Sequence, residues 1–207
     1  MCPGSLLVLG LLVIIVLFAI NTLVPVGYHI KTVLALTAQT NETISALNEK
    51  GLALVNSGSY NEAITYFDRA LAVNASNPHA LNNKGFALYS LGKYSEAINY
   101  YDKALAITPN NTIALSNKGL ALHALGKDNE AILYYDKALA IDPVDPITLN
   151  NKGLALHELG KDNEAILYYD KALVTRPNYT SALNDKGLSL YSLGNYSGAI
   201  TDILTKH

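Results

Sequence analysis

The chain has 207 residues, half of them apolar, and 15 Lys and Arg against 17 Asp and Glu give a formal charge of −2. That balance excludes a basic nucleic-acid-binding face, and the apolar content excludes wholesale disorder. Cys2 is the single cysteine, so an internal disulfide framework and a cysteine-rich zinc or iron–sulfur site are excluded as well.

From the N-terminus, residues 1–5 form a short uncharged tail and no charged residue occurs before Lys31. Leu6 to Val26 is a charge-free stretch of 21 residues, and a helix rising ~1.5 Å per residue needs roughly 20 to cross a hydrocarbon core. The expectation is a transmembrane helix or signal anchor over 6–26, followed by a linker over 27–43. A cleaved signal peptide is the alternative, disfavoured by the lack of a basic start and of a good cleavage site. Five Asn-x-Ser/Thr triplets, at Asn41, Asn74, Asn110, Asn178 and Asn195, place the remainder outside the cytoplasm of a single-pass membrane protein.

Self-comparison dominates everything after residue 43. SNKGLALHALGKDNEAILYYDKALAIDP, Ser116 to Pro143, returns 34 residues later as NNKGLALHELGKDNEAILYYDKALVTRP, Asn150 to Pro177. The same frame repeats at Gly51, Gly85, Gly119, Gly153 and Gly187, and at Gly58, Gly92, Gly126, Gly160 and Gly194. The units are 44–77, 78–111, 112–145 and 146–179, with a partial fifth at 180–207. In each, apolar residues recur three and four apart: Leu81, Gly85, Leu88 and Leu91, then Ala97, Ile98, Tyr101, Ala104 and Leu105. Two amphipathic helices per unit follow. Gly92 falls where the first helix stops in a left-handed residue, and Pro109, Pro143 and Pro177 cannot continue the second. One hairpin cannot bury its apolar face alone, so the units stack.

Leu81, Gly85, Leu88, Ala97, Tyr101, Ala104 and Pro109 resemble the tetratricopeptide repeat pattern. Departures are Leu81 for the first aromatic, a lysine before each glycine (Lys50, Lys84, Lys118, Lys152, Lys186), and Ala75 where the first repeat should close with proline. The resemblance implies an all-α tetratricopeptide (TPR) α-solenoid, a right-handed superhelix of helical hairpins with the first helices lining the concave side.

No catalytic, cofactor-binding or metal-binding set emerges. None of the ten repeat glycines is followed by the lysine and hydroxyl residue of a phosphate-binding loop. His123 and His157 stand one repeat apart without a third metal ligand in register, since Val55, Tyr89 and Tyr191 hold that place elsewhere. Asp102 with Lys103, and their equivalents, read as solvated outer-face charges. Of the pairs Tyr100–Tyr101, Tyr134–Tyr135 and Tyr168–Tyr169, the second member reads as core.

A polar row on the first helices is the candidate binding feature. Asn83, Asn117 and Asn151 recur, preceded by Asn82, Ser116 and Asn150, and amides that both donate and accept can hold the backbone of an extended peptide. The row is similar to the asparagine ladder of O-linked N-acetylglucosamine transferases; local bonding of the amides is the alternative. Beside it run Phe86, Leu120 and Leu154, then Tyr89, His123 and His157, as an apolar strip for affinity. A basic clamp for carboxylate tails is excluded, because its places hold His79, Asn82, Phe86, Ile113 and Ser116. The expected function is a membrane-anchored, non-enzymatic scaffold that binds a protein or extended peptide in its groove. The alternative is an adaptor subunit of a glycosyltransferase or secretion and assembly complex whose activity lies in a partner. Leu190, Leu193, Ile200 and Leu204 suggest self-association through the C-terminal end.

Overall fold

The computed structural model describes residues 43–199. Two compact units divide the chain, Met1–Ser45 and Ala46–His207, and the second holds the helical array. Its helices are α1 (43–56), α2 (Tyr60–Val73), α3 (Pro78–Ser90), α4 (Tyr94–Ile107), α5 (Thr112–Ala124), α6 (Asp128–Ile141), α7 (Pro146–Glu158), α8 (Asp162–Thr175), α9 (Thr180–Ser192) and α10, which begins at 196. Odd-numbered helices are the first of each hairpin and even-numbered helices the second.

Side chains and glycines set these boundaries. Asn77 and Asn111 accept the backbone N–H of Ala80 and Ala114 at 2.8 and 3.0 Å, and Asp145 accepts those of Ile147 and Thr148. Each such cap stabilises its helix by about 1 kcal/mol. At the other end of α3, the Gly92 N–H donates to Tyr89 O and the Lys93 N–H to Leu88 O, a paired closure that needs the left-handed φ of 75° at Gly92. Second helices start without a side-chain cap but carry Glu96, Asp128 with Glu130, or Asp162 with Glu164 in the first turn, complementing the helix dipole. They end just before Pro109, Pro143 and Pro177.

Inside each hairpin a glycine faces a ring. A Cβ on Gly119 would lie 2.5 Å from Cε1 of Tyr135, and Gly85 and Gly153 stand in the same relation to Tyr101 and Tyr169. The glycine admits the aromatic ring, and a methyl there would cost ~1–3 kcal/mol by overpacking. Tyr101, Tyr135 and Tyr169 are fully buried, as is Phe67 in the first repeat. The core then passes between hairpins: Leu122, Ala131 and Tyr135 pack with Ala155 of the next repeat, and Leu88, Ala97 and Tyr101 with Ala121. The backbones of successive first helices approach one another from α3 onward, whereas those of successive second helices stay further apart among the described residues. Over residues 46–199 the array is therefore tighter on the side of its first helices.

The single-pass membrane placement and outward orientation expected from the sequence are corrected by this architecture. Among the described residues no helix is long and apolar enough to cross a membrane. Helices of 13 or 14 residues reach only ~20 Å against a hydrocarbon core of ~30 Å, and each presents charged or polar residues along one face. The expected tail at 1–5, span at 6–26 and all but the last residue of the 27–43 linker lie outside the described residues, as do Asn41, Ile200 and Leu204.

Candidate functional site

The polar row of the first helices is brought together as a seam between successive repeats. Asn117 Nδ2 donates to Asn82 Oδ1 at 3.2 Å, Asn150 Nδ2 donates to Asp185 Oδ2 at 3.0 Å, and the Ser116 and Thr148 hydroxyl oxygens share a hydrogen bond 2.9 Å apart. Asn82, Ser116, Thr148 and Asn150 are buried by it. Part of the amide capacity is thus used along the array, the local bonding that the sequence left as an alternative. Asn83 and Asn151 differ: both are half-buried, and neither side-chain amide has a hydrogen bond among the described residues. Phe86, Leu120 and Leu154, one turn further along, are also half-buried.

His123 and His157 serve the hairpins that carry them. Nδ1 of His123 lies 2.5 Å from Asp128 Oδ1, and Nδ1 of His157 lies 2.5 Å from Asp162 Oδ1, each pair tying the end of a first helix to the start of the second. Ser189, at 0% exposure, adds a contact to His157 at 3.1 Å. In other repeats the same two places hold Tyr89 against Tyr94 and Tyr191 against Tyr196, with ring centroids 5.3 and 5.2 Å apart. In these four repeats the two positions, five residues apart, change together from aromatic pair to histidine–carboxylate pair, while the first repeat carries Val55 with Tyr60. Burial together with the neighbouring Tyr94 pushes the Tyr89 hydroxyl above its usual pKa.

The lysines that depart from the repeat pattern form a second, unexpected array. Lys118, 8% exposed, donates to Asp102 of the preceding repeat and, at 2.8 Å, to Tyr134 Oη of its own. Lys152 does the same between Asp136 and Tyr168, while Lys84 pairs with Asp68 and Lys186 with Asp170. Burial works against the ammonium of Lys84, Lys118 and Lys152, but hydrogen bonds to the aspartate and the tyrosine outweigh it and raise each pKa. Lys103 and Lys137 lie over the Tyr100 and Tyr134 rings at 4.7 and 4.8 Å. Asp102 and Lys103 are both exposed, as the sequence reading expects, and Asp102 in addition pairs with Lys118 of the next repeat. The available signal was an aspartate 16 residues before each of four lysines, at the same 34-residue period.

Clefts open between the described repeats, and two of them border the first helices. One, of about 360 Å³, lies between α5 and the turn into α7 and is lined by Ile113, Ser116, Asn117, Asp142, Asp145 and Ile147. The other, of about 480 Å³, is lined by residues that include Ser95, Ile98, Lys118, Leu122 and Tyr134. Among the described residues no group of three or more His, Cys, Asp or Glu is placed to hold a metal ion.

With this geometry in place, comparison with known proteins is direct. A family described as "Tetratricopeptide repeat" matches residues 48–112, and "Psidin, N-terminal TPR repeats region" matches 88–199, just over half of the chain. The chain belongs to the tetratricopeptide repeat family. TPR proteins of solved structure share its fold. PilF of Pseudomonas aeruginosa is 23% identical, with a TM-score of 0.73 over 79% of this chain and 75% of that one. A thermophilic TPR protein of Thermus thermophilus is 21% identical, with a TM-score of 0.71 over 79% and 89%. MamA of Desulfovibrio magneticus RS-1, from its residue 41 onward, is 22% identical, with a TM-score of 0.67 over 78% and 91%. No curated protein sequence gives a significant match. TPR arrays in general are scaffolds for protein–protein interaction.

Proposed function

We propose that the inner face of repeats 78–111, 112–145 and 146–179 binds an extended polypeptide, and that the protein acts as a non-catalytic interaction scaffold. Asn83, Asn117 and Asn151 hold the ligand backbone, with Asn82 and Asn150 setting their spacing. Phe86, Leu120 and Leu154 receive apolar side chains, and Tyr89, His123 and His157 form the margin, held by their hairpins. The observation that carries this reading is the state of Asn83 and Asn151, half-buried amides on the first helices with no side-chain hydrogen bond of their own. Such an amide keeps its donor and its acceptor free of protein partners, and a peptide backbone offers the complement of each.

Asn83→Ala with Asn151→Ala should remove two contacts of about 1 kcal/mol each, weakening capture of extended dodecapeptides from a display library by roughly 30-fold. Helix content and thermal midpoint should stay as in the parent. Loss of binding instead from Leu133→Ser with Leu167→Ser, whose side chains are exposed on second helices, would move the site to the outer face.

A further inference from the structure

We infer that the cleft between α5 and the α7 turn selects, within the groove, for a Lys or Arg side chain next to an aliphatic one; this inference rests on the groove reading above. Two independent features meet here and at no other repeat junction among the described residues. The first is apolar: Ile113 and Ile147, 63% and 47% exposed, flank the cleft, and the same place in neighbouring repeats holds His79 and Ser181. The second is charge: Asp142 and Asp145 both line the cleft. In the other repeats the place of Asp142 is held by Asn74, Thr108 and Arg176, and that of Asp145 by Asn77, Asn111 and Tyr179.

The sign of the cleft survives the helix dipoles. The N-termini of α5 and α7 open nearby and together contribute at most about one positive charge, against two carboxylates, and no cationic side chain lines the cleft. Asp145 is occupied by the Ile147 and Thr148 amides and the Thr148 hydroxyl. Asp142 is exposed and accepts only the Val144 N–H, through one oxygen at 3.3 Å, so its other oxygen is open to an incoming ammonium or guanidinium. An aliphatic neighbour on the ligand covers the isoleucines, and the Asn117 amide at the cleft edge meets the ligand backbone. Complementarity of this kind sets partner choice more than bulk affinity.

The test uses the full chain and three matched dodecapeptides whose central pair is Lys-Leu, Gln-Leu or Glu-Leu, read by fluorescence anisotropy. Affinity should fall in that order, with Lys-Leu binding roughly 5- to 10-fold more tightly than Gln-Leu at low salt and the gap closing at high salt. Asp142→Asn should bring the Lys/Gln ratio to about one, with the turn kept because the amide oxygen still accepts the Val144 N–H. Ile113→Ser should weaken all three peptides yet leave the Lys/Gln ratio in place. A ratio unmoved by Asp142→Asn, or preference for Glu-Leu, overturns the inference. If Asn83→Ala with Asn151→Ala weakens all peptides while parent protein treats Lys and Gln alike, the groove stands and the selective cleft falls. If none of the peptides binds, the groove reading fails and this inference fails with it.

Discussion

Tyr135 shows how one atom can work against its own side chain. The ring fills the space opposite Gly119, but the hydroxyl is buried with no hydrogen-bond partner among the described residues. A buried hydroxyl without a partner costs ~1–3 kcal/mol, and the first repeat avoids the cost by carrying Phe67 in the same slot. Tyr135→Phe should therefore stabilise the protein by about 1 kcal/mol, raising the thermal midpoint by about 2–4 °C in a chain of this size. Circular dichroism melting checks it; a lowered midpoint would show that the hydroxyl has a water partner. At this scale much was legible in advance. The left-handed glycines and the aromatic slots follow from local rules, because φ and volume are properties of single positions. Histidine orientation was not, since the repeat register says which helix carries His123 and His157 but not that Asp128 and Asp162 lie across the turn to receive them.

Between elements, the aspartate–lysine–tyrosine units are the feature that local reading could not deliver. A lysine before each repeat glycine looks like a misfit in its own helix, and its carboxylate sits 16 residues earlier on the second helix of another repeat. Only the packed pair explains either residue. The lysine side is nearly buried while Asp102 is about half exposed, so the two halves respond differently to substitution. Asp102→Ala leaves an ammonium with one neutral partner and should destabilise by about 1–3 kcal/mol. Lys118→Leu restores the residue expected of the repeat pattern, frees Asp102 to water, and should be neutral or stabilising by up to a few kcal/mol. Urea titration of both single variants and the double variant measures the coupling, and equal losses from the two single changes would contradict this account. The candidate groove was legible for a related reason: its amides repeat on one helix. The seam that uses Asn82, Asn117 and Asn150 was not, because its bonds join positions 35 residues apart rather than 34.

Across the whole array, buried lysines and buried tyrosines bias stability against pH in the same direction. Lys84, Lys118 and Lys152 have pKa values raised above 10.5, and burial pushes Tyr101, Tyr135 and Tyr169 far above 10.0. In the unfolded chain these groups release protons near the ordinary values, whereas the native protein retains them, so above about pH 10 the folded state binds more protons and stability falls as pH rises. Below the ordinary values the contribution is fully present. The urea midpoint should be flat from about pH 7 to 9 and decline steeply by about pH 11. Lys118→Leu should make that decline shallower, and a midpoint that rises with pH would refute the assignment.

The lysine units have a final consequence for how such a chain can change length. Each hairpin offers an aspartate forward and a lysine backward, so the junctions on either side of repeat 112–145 carry the same ion pair, although their side-chain seams differ. Excision of those 34 residues would bring Asp102 opposite Lys152 and Asn82 opposite Asn151, the same residue types that meet there in the intact protein. The near-identity of Ser116–Pro143 and Asn150–Pro177 at the peptide level fits such an exchange. In their aspartate–lysine couplings the repeats of this chain are interchangeable links, and gain or loss of one alters the reach of the binding face while keeping that ion pair at the new joint.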